Sequence, residues 1–518
     1  MNTFKEILKL NQSRLLNLYN LDQFSSTLGI GDRKYWAWKT IDFPNATFQS
    51  GINALGISIK LGISDDNKLY LEIIDKIIRA IPSISNRNNS LNESFPGESS
   101  YCVTALIAYD VLFTIDLLKD KLGNKKKKLY IKIVEPLINF LIRNKETHAI
   151  ISNHLATAAA ALYLWTELTQ KHKNKYKDIL DKIYENQSSE GWFKEYDGPD
   201  PGYQTLCTQY LSIIFHKTKD NELKRRLSKS IEFLYYFIHP DGSIGGLYGS
   251  RNTEVYYPGG IVLLDSISKY SNHVNLALKK GIENGFAIMP QDIDPDNFIP
   301  LLNSYALAAL YENKISTKKD FIKPFYISKN KKNFKEAGIE IFSNKNYFSI
   351  LNYKKGGTIK VYDLIAGKCK YDSGGVLYLD KKILTSQRFD KNISMDNDNT
   401  FVSKLHYFEE KYPSLFQTIL IRIMSITIFR FSYFVELFKK AVVKLLITNK
   451  KKSKFLFKTN IEYEEQNIQI IYEFPKDLKK ESLHLGYKFK SIHMASSGYF
   501  IKSNVISNNN EIVKLILR

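Results

Sequence analysis

Up to about residue 315 the apolar residues return every three or four positions, in segments such as 100–119, 129–143, 153–169, 203–216 and 223–238. That period is the signature of amphipathic helix, so this half is read as nearly all helical. Several segments pair into hairpins, and the loops between pairs are rich in Gly, Pro and acids: SFPGESSY (94–101), EYDGPDPGY (195–203) and HPDGSIGGLYGSRNTEVYYPGG (239–260). Helical hairpins repeating at an irregular period predict an α/α solenoid or a closed α/α toroid over residues 1–315, with loops of one kind gathered at one end.

Past a Lys-rich joint (316–336) the period changes to that of strands. Ile339–Phe342, Tyr347–Tyr353 and Thr358–Leu364 are short β-branched or aromatic runs parted by the turn signals SNKN and KKGG, and further runs lie at 375–384, 455–462, 466–474 and 485–501. These predict an antiparallel β-sandwich over 337–518, and so an α+β multidomain chain. A helical insertion at about 412–450 interrupts it. Its apolar body, Leu415 to Ile447, is long enough to cross a bilayer, but Arg422, Arg430, Glu436, Lys439, Lys440 and Lys444 leave no uncharged run of about 18 residues. With KKKSK (450–454) at its end, the segment fits either a helix lying in an anionic lipid interface or an insertion buried against the sheet.

Composition narrows the class. A chain of 518 residues with 44% hydrophobic and 13% aromatic content buries large cores and is neither disordered nor collagen-like. Cys102, Cys207 and Cys369 are too few and too scattered for a disulfide framework or a cysteine zinc site. The 74 basic and 53 acidic residues leave a net charge of +21, which favours an acidic partner: nucleic acid, an anionic glycan or an anionic membrane. No RRM, KH or helix-turn-helix signature accompanies the charge, so nucleic acid is not the expected partner. Lys5, Lys9 and Arg14 interrupt the start of the chain where a secretory signal would be apolar, so the expected location is cytoplasmic, peripheral to the inner membrane if the insertion touches lipid.

Three helix starts carry candidate chemistry. In GWFKEYDGPDPGYQ (191–204), Asp200 caps a helix and Pro201 takes its first position, which leaves Trp192, Glu195, Tyr196, Asp197 and Tyr203 clustered around a helix N-terminus. In ISNHLATAAAALYLW (151–165), Asn153 and His154 open an Ala-rich helix, with Ser152 or Asn153 as its plain N-cap if the pair has no other role. In GGLYGSRNTEVYYPGG (245–260), Arg251, Asn252, Glu254 and Tyr256 stand between glycines that permit close backbone approach. Glu98 lies in the first of the acidic loops.

A toroid followed by a sandwich, with S-N-H-L at one helix start and G-W-F-x-E-Y-x-G-P-D-P-G-Y-Q at a later one, resembles the heparinase II/III-like polysaccharide lyases and related alginate lyases. The opening of the second half, AGIEIFSNKNYFSILNYKKGG (337–357), also looks like the start of that family's sandwich. The resemblance implies that Asn153, with His154, neutralises a substrate carboxylate and that Tyr203, 50 residues on, acts on the sugar. Where the family carries a His-rich stretch for a metal this chain reads GKCKYDSGGVLYLD (367–380), with no His between His273 and His406, so no cofactor and no metal is predicted.

The implied reaction is β-elimination from a uronate in an anionic polysaccharide. Removing the C5 proton is feasible only if the adjacent carboxylate is neutralised, a task for Asn153 and His154. Tyr203 would serve as base, acid or both, with Arg251 as the cation that makes a phenol of pKa near 10 usable. Two alternatives remain open from the sequence: a glycoside hydrolase working with Glu195, Asp197 and Asp200, whose carboxyls would have to stand about 5–9 Å apart, and a non-catalytic accessory of surface-polysaccharide synthesis docked on the membrane.

Overall fold

The computed structural model describes residues 3–146, 149–316, 322–379, 381–408, 413–443, 452–478, 483–486, 489 and 512–517. Six helices form an inner ring: Ile52–Lys60, Tyr101–Leu117, Ser152–Thr169, Pro201–Thr218, Pro258–Leu263 and Pro295–Tyr311. Each packs on the next and the last returns to the first, so the ring closes. Outer helices Thr3–Leu10, Asn67–Ile84, Asn124–Arg143, Lys175–Glu185, Asn221–Tyr235 and Ser271–Glu283 back onto it.

The two rings differ as their sequences dictate. Asn67–Ile84 buries one stripe, Tyr70, Ile73, Ile74, Ile77, Ile78, Ile81 and Ile84 among its apolar positions, whereas Tyr101–Leu117 is buried all round from Val103 to Ile115. Small residues let the inner helices approach: Ala158 to Ala161 are fully buried. A polar knot ties the ring where its ends meet. Asn303 accepts from Ala54 N and donates to Ser50, and Ser50 Oγ and Asn53 Nδ2 both donate to the buried Asp110 carboxylate.

The strands are β1 (Asn330–Phe334), β2 (Ile339–Ser343), β3 (Tyr347–Asn352), β4 (Thr358–Asp363), β5 (Lys368–Ser373), β6 (Val376–Leu379), β7 (Ile383–Thr385), β8 (Thr400–Phe408), β9 (Lys452–Tyr463), β10 (Ile468–Glu473), β11 (Leu483–Leu485) and β12 (Ile512–Leu517). Among the described residues they make an antiparallel five-stranded meander, β1 to β5, and a seven-stranded sheet ordered β11-β6-β7-β8-β9-β10-β12. The meander's central strands, β2 to β4, are buried on both faces. Ile339, Ile341, Phe348 and Ile350 join the toroid's core, while Phe342, Tyr347 and Leu351 join the core shared with the second sheet. Alternation along β2 and β3 thus fastens one sheet to two partners.

Several expectations are corrected. The joint 316–336 holds β1, an edge strand of sequence NKKNF, whose charged face conceals the strand period; residues 317–321 lie outside the described set. The run expected at 485–501 is described only to Gly486 and at Phe489. The insertion is a hairpin of two helices, Leu415–Ile426 and Ser432–Val443, anchored on the toroid. Phe95 meets Phe429 and Phe438 at 5.8 and 5.7 Å between ring centres, and Arg422 pairs with Asp42 at 3.1 Å. Residues 444–451, with the first two lysines of the KKKSK run, lie outside the described set, and the rest of that run opens β9. No helix among the described residues is long and apolar enough to cross a membrane.

Candidate active site

The helix Ser152–Thr169 lacks a cap of its own. Ile151 takes the N-cap position with no side-chain hydrogen bond, so neither Ser152 nor Asn153 caps as expected. Ser152 Oγ instead donates to Lys194 O, and the free amide of Asn153 donates to Glu195 Oε1 at 3.0 Å. A carboxylate from another segment thereby satisfies the helix start, where the partial positive charge of the backbone favours it. Asn153 Nδ2 also donates to Glu195 Oε2, at 2.8 Å. Glu195 is fully buried, and burial raises its carboxyl pKa while Arg251 and Asn153 pull it back.

Arg251 completes the chain of contacts. Its Nη1 lies 3.3 Å from Glu195 Oε2, and its guanidinium sits 3.4 Å from the ring centre of Tyr203 and 5.4 Å from that of Tyr196. Burial alone would lower the Arg251 pKa, but Tyr203, Glu195 and Tyr196 outweigh it and the group stays charged. Its Nε has no acceptor among the described residues. Tyr196 reaches this position from a backbone φ of +59°, a left-handed conformation that costs a non-glycine residue about 1–3 kcal/mol.

His154 points to a second acid. Burial opposes its imidazolium, but Nδ1 lies 2.7 Å from Glu146 Oε2 and the net pKa is well above the ordinary value. The neighbouring Cys102 thiol is itself pushed up by burial and so neutral at pH 7, which leaves the Glu146 carboxylate as the group that holds the proton on His154. The sequence reading missed Glu146. It also missed Glu93, which stands one residue before the loop it singled out. Loss of water around the carboxyl raises Glu93 to about 7, Glu98 adds to this, and His154, Lys439 and Arg251 oppose it. Glu93 is nonetheless an exposed residue, so solvent screens part of these interactions. Glu98 accepts from the amides of Glu93 and Ser94 and faces Lys439 of the hairpin at 3.8 Å. A crevice lined by Glu98, Tyr101, Glu146, Val435 and Lys439 separates hairpin from toroid there.

The remaining candidates serve the scaffold. Asp200 caps Pro201–Thr218 through Tyr203 N at 3.0 Å, and its other oxygen accepts from Arg251 N at 2.9 Å and Thr253 N at 3.3 Å. With Asp200 and Glu195 both saturated, only Asp197, which is exposed, remains as a free acid of the expected hydrolytic set. Trp192 donates to Glu190, whose carboxylate accepts from Glu336 N and Ala337 N, so it belongs to the joint between the two halves. Tyr256 is buried in the core with its hydroxyl on Leu278 O. Glu254 is half-buried near Lys360. Asn252, at φ +59°, accepts from Lys355.

Lys355 has no forewarning in the sequence, where KKGG reads as a solvated turn. It is buried, and its Nζ donates to Leu247 O at 2.6 Å, to Gly249 O and to Asn252 Oδ1, while Asn352 Nδ2 donates to Tyr248 O. The sandwich thus clamps the Arg251 loop. Gly249 is required there, because a Cβ would stand 2.7 Å from Asp200 Oδ2. Among the described residues no group of His, Cys, Asp and Glu could hold a metal ion, and the β5 segment offers Lys368, Cys369 and Lys370 where histidines were sought.

No family model matches the sequence, and no curated protein does. Solved structures do. A Paenibacillus xanthan lyase aligns over 93% of this chain and 46% of its own, at 8% identity and a TM-score of 0.54. A Streptomyces coelicolor A3 chondroitin AC lyase in complex with chondroitin sulphate aligns over 93% of this chain and 67% of its own, at 7% identity and a TM-score of 0.53. Heparinase III aligns over 86% of this chain and 64% of its own at 13% identity, with a TM-score of 0.45. The chain therefore spans about half the length of the xanthan lyase. At these identities the likeness concerns architecture, and in architecture the chain has the polysaccharide-lyase fold, a helical toroid followed by antiparallel sheets.

Proposed function

We propose that this protein is a polysaccharide lyase that breaks a uronate-containing anionic polysaccharide by β-elimination. The observation that carries the reading is the contact chain Asn153–Glu195–Arg251–Tyr203, with Arg251 stacked 3.4 Å over the Tyr203 ring centre. The uronate carboxylate is received by the terminal Nη2 of Arg251, by the second amide hydrogen of Asn153 and by the His154 imidazolium. With that charge balanced, the C5–H becomes acidic enough to lose its proton to the Tyr203 oxygen. The electron pair forms the C4–C5 double bond, the C4–O bond breaks, and the departing oxygen recovers the proton from the Tyr203 hydroxyl. Arg251 favours the phenolate during the first half of this exchange, since an adjacent cation stabilises an anion.

The test uses xanthan, chondroitin sulphate, heparan sulphate, alginate and polygalacturonate. Turnover should generate a 4,5-unsaturated end absorbing in the near ultraviolet. Tyr203→Phe should abolish it with the fold retained, and Asn153→Ala should lower turnover by roughly 10²–10³, the usual loss of one donor to a developing oxyanion. New reducing ends without the chromophore would replace elimination by hydrolysis, and no cleavage of any of the five would sink the reading.

We also assign to the outer face of the 413–443 hairpin a peripheral contact with an anionic bilayer. Leu415, Phe416, Ile423, Ile426 and Phe431 are all more than half exposed there, beside the exposed cations Arg430 and Lys440. Apolar residues of this size on an interfacial helix, flanked by basic ones, suit a lipid headgroup boundary.

A further inference from the structure

Four Lys or Arg residues are buried among the described residues: Arg251, Lys355, Lys360 and Arg388. Three have partners that account for them. Arg251 faces Glu195, Lys355 donates to three oxygens, and Lys360 pairs with Asp372 at 3.6 Å. Arg388, on the loop after β7, has none. Its Nε and Nη1 are sealed from solvent and meet no acceptor among the described residues. Burial pulls its pKa down to about 10, with only Asp197 resisting, so it is a full cation at pH 7. A buried cation without an acceptor is costly, and a protein that keeps one has another use for it.

The position of Arg388 says what that use is. The ring of the next residue, Phe389, lies against the 195–198 turn, where a Cβ on Gly198 would stand 3.0 Å from it. That turn carries Glu195 and Tyr196, which flank Arg251, and at its exposed tip Asp197, the acid within electrostatic reach of Arg388. Two residues earlier, Ser386 Oγ donates to Gly356 O at 2.8 Å, in the same turn whose Lys355 clamps the Arg251 loop. Arg388 therefore lies on the sandwich side of the 195–198 turn, and Arg251 on the other side of that turn.

We propose that Arg388 is an anion-binding residue of the cleft, taking the carboxylate or sulphate of a sugar next to the one held at Arg251. This rests on the polysaccharide reading above and extends it: the ligand carries acidic groups on at least two neighbouring units, and the sandwich half reads the second. Nη2 has no hydrogen bond to a described residue and is not among the sealed atoms, so it is the donor that first meets such a group, and the planar guanidinium fork fixes an oxygen in a way that a lysine ammonium does not.

Arg388→Met and Arg388→Lys separate the possibilities through two arms. In the first, thermal midpoints are compared in sodium sulphate and in sodium chloride at matched ionic strength. Arg388→Met should melt at or above the wild-type temperature in chloride, because a buried unpaired charge is gone, and should lose the extra rise that sulphate gives the wild type. In the second, hexasaccharides of chondroitin sulphate, xanthan and alginate are titrated into the Tyr203→Phe protein with and without Arg388→Met. Binding should weaken at least tenfold with Arg388→Met, less with Arg388→Lys, and removing either the sulphate or the carboxylate from the probe should identify the group that Arg388 holds. A midpoint several degrees lower for Arg388→Met would make the residue structural and overturn the proposal, as would an equal sulphate response in both proteins. Failure of the Tyr203→Phe protein to bind any hexasaccharide would refute the polysaccharide reading instead, leaving the sulphate arm to decide whether Arg388 binds anions.

Discussion

Asp200 separates a scaffold carboxylate from a chemical one. Its Oδ1 caps the helix Pro201–Thr218 and its Oδ2 takes the amides of Arg251 and Thr253, all of them buried. In Asp200→Ala the lost cap costs about 1 kcal/mol, and each of the two loop amides, left without an acceptor, costs about 1–3 kcal/mol. The lower values sum to about 3 kcal/mol. Only the last two contributions act on the 249–253 loop, so the damage should be local as well as global. Hydrogen exchange followed by mass spectrometry reads this directly: peptides covering 249–257 should exchange about tenfold faster for every 1.4 kcal/mol lost from the opening energy of that loop. Asp200→Ser gives the internal control, because its hydroxyl can still accept from Tyr203 N but is too short to hold the loop. It should recover about 1 kcal/mol of thermal stability and leave the loop exchange fast. Unchanged exchange in Asp200→Ala would refute the scaffold argument. Unchanged exchange together with lost turnover would return Asp200 to the chemistry and revive hydrolysis.

Three further outcomes follow from the same geometry. Glu93 carries a raised pKa, about 7 against 4.5 for a free glutamate, so its contribution to stability is present below pH 4.5 and is lost as pH rises through 7; the wild type should therefore lose more thermal stability between pH 5 and pH 8 than Glu93→Gln does. Lys355→Met should cost about 3 kcal/mol or more, since it strips a buried charge from three acceptors, and it should speed exchange in 247–252 as Asp200→Ala does, whereas an intact loop would show that the clamp is not needed. The full chain should sediment with phosphatidylserine vesicles at low salt and release as salt rises, because surface charges are screened within about 10 Å at 0.1 M; replacing Phe416, Ile423 and Phe431 by Ser without loss of sedimentation would end the membrane assignment.

Local periods and short motifs foretold much of the fold. The helices at 101–117 and 201–218 fall within two residues of their apolar segments, and Asp200 with Pro201 marks a helix start as it should. Strands β1 and β5 escaped because NKKNF and KCKYDS carry charge where alternation would be apolar, and β8 because Ser403 takes an inward position between Phe401 and Leu405. The candidate residues were legible as types on loops, and the fold sets Arg251 over the Tyr203 ring. What could not be read was the closure of those loops on each other. Glu195 looked like one free acid among several, and only the fold turns it into the cap of a helix 42 residues earlier in the chain.

Lys355, Arg388 and the hairpin share a reason for being illegible: each belongs to the second half of the chain and acts on the first. A lysine in a KKGG turn carries the ordinary signature of a solvated residue, and it becomes a buried clamp only because the meander β1 to β5 is pressed between toroid and second sheet. The same pressing fixes Arg251. A cation stacked on a phenol gains about 2 kcal/mol when desolvated, yet that gain requires the 247–252 loop to stay closed, and it is held closed by loop carbonyls that accept from Lys355 and Asn352 and by the Arg251 amide that donates to Asp200. Two of those three belong to the sandwich. The second half therefore does more than cover the toroid's core: it sets the position of the cation on which the proposed proton transfer depends, so substitutions in the 352–357 turn should act on the Tyr203 chemistry without touching substrate.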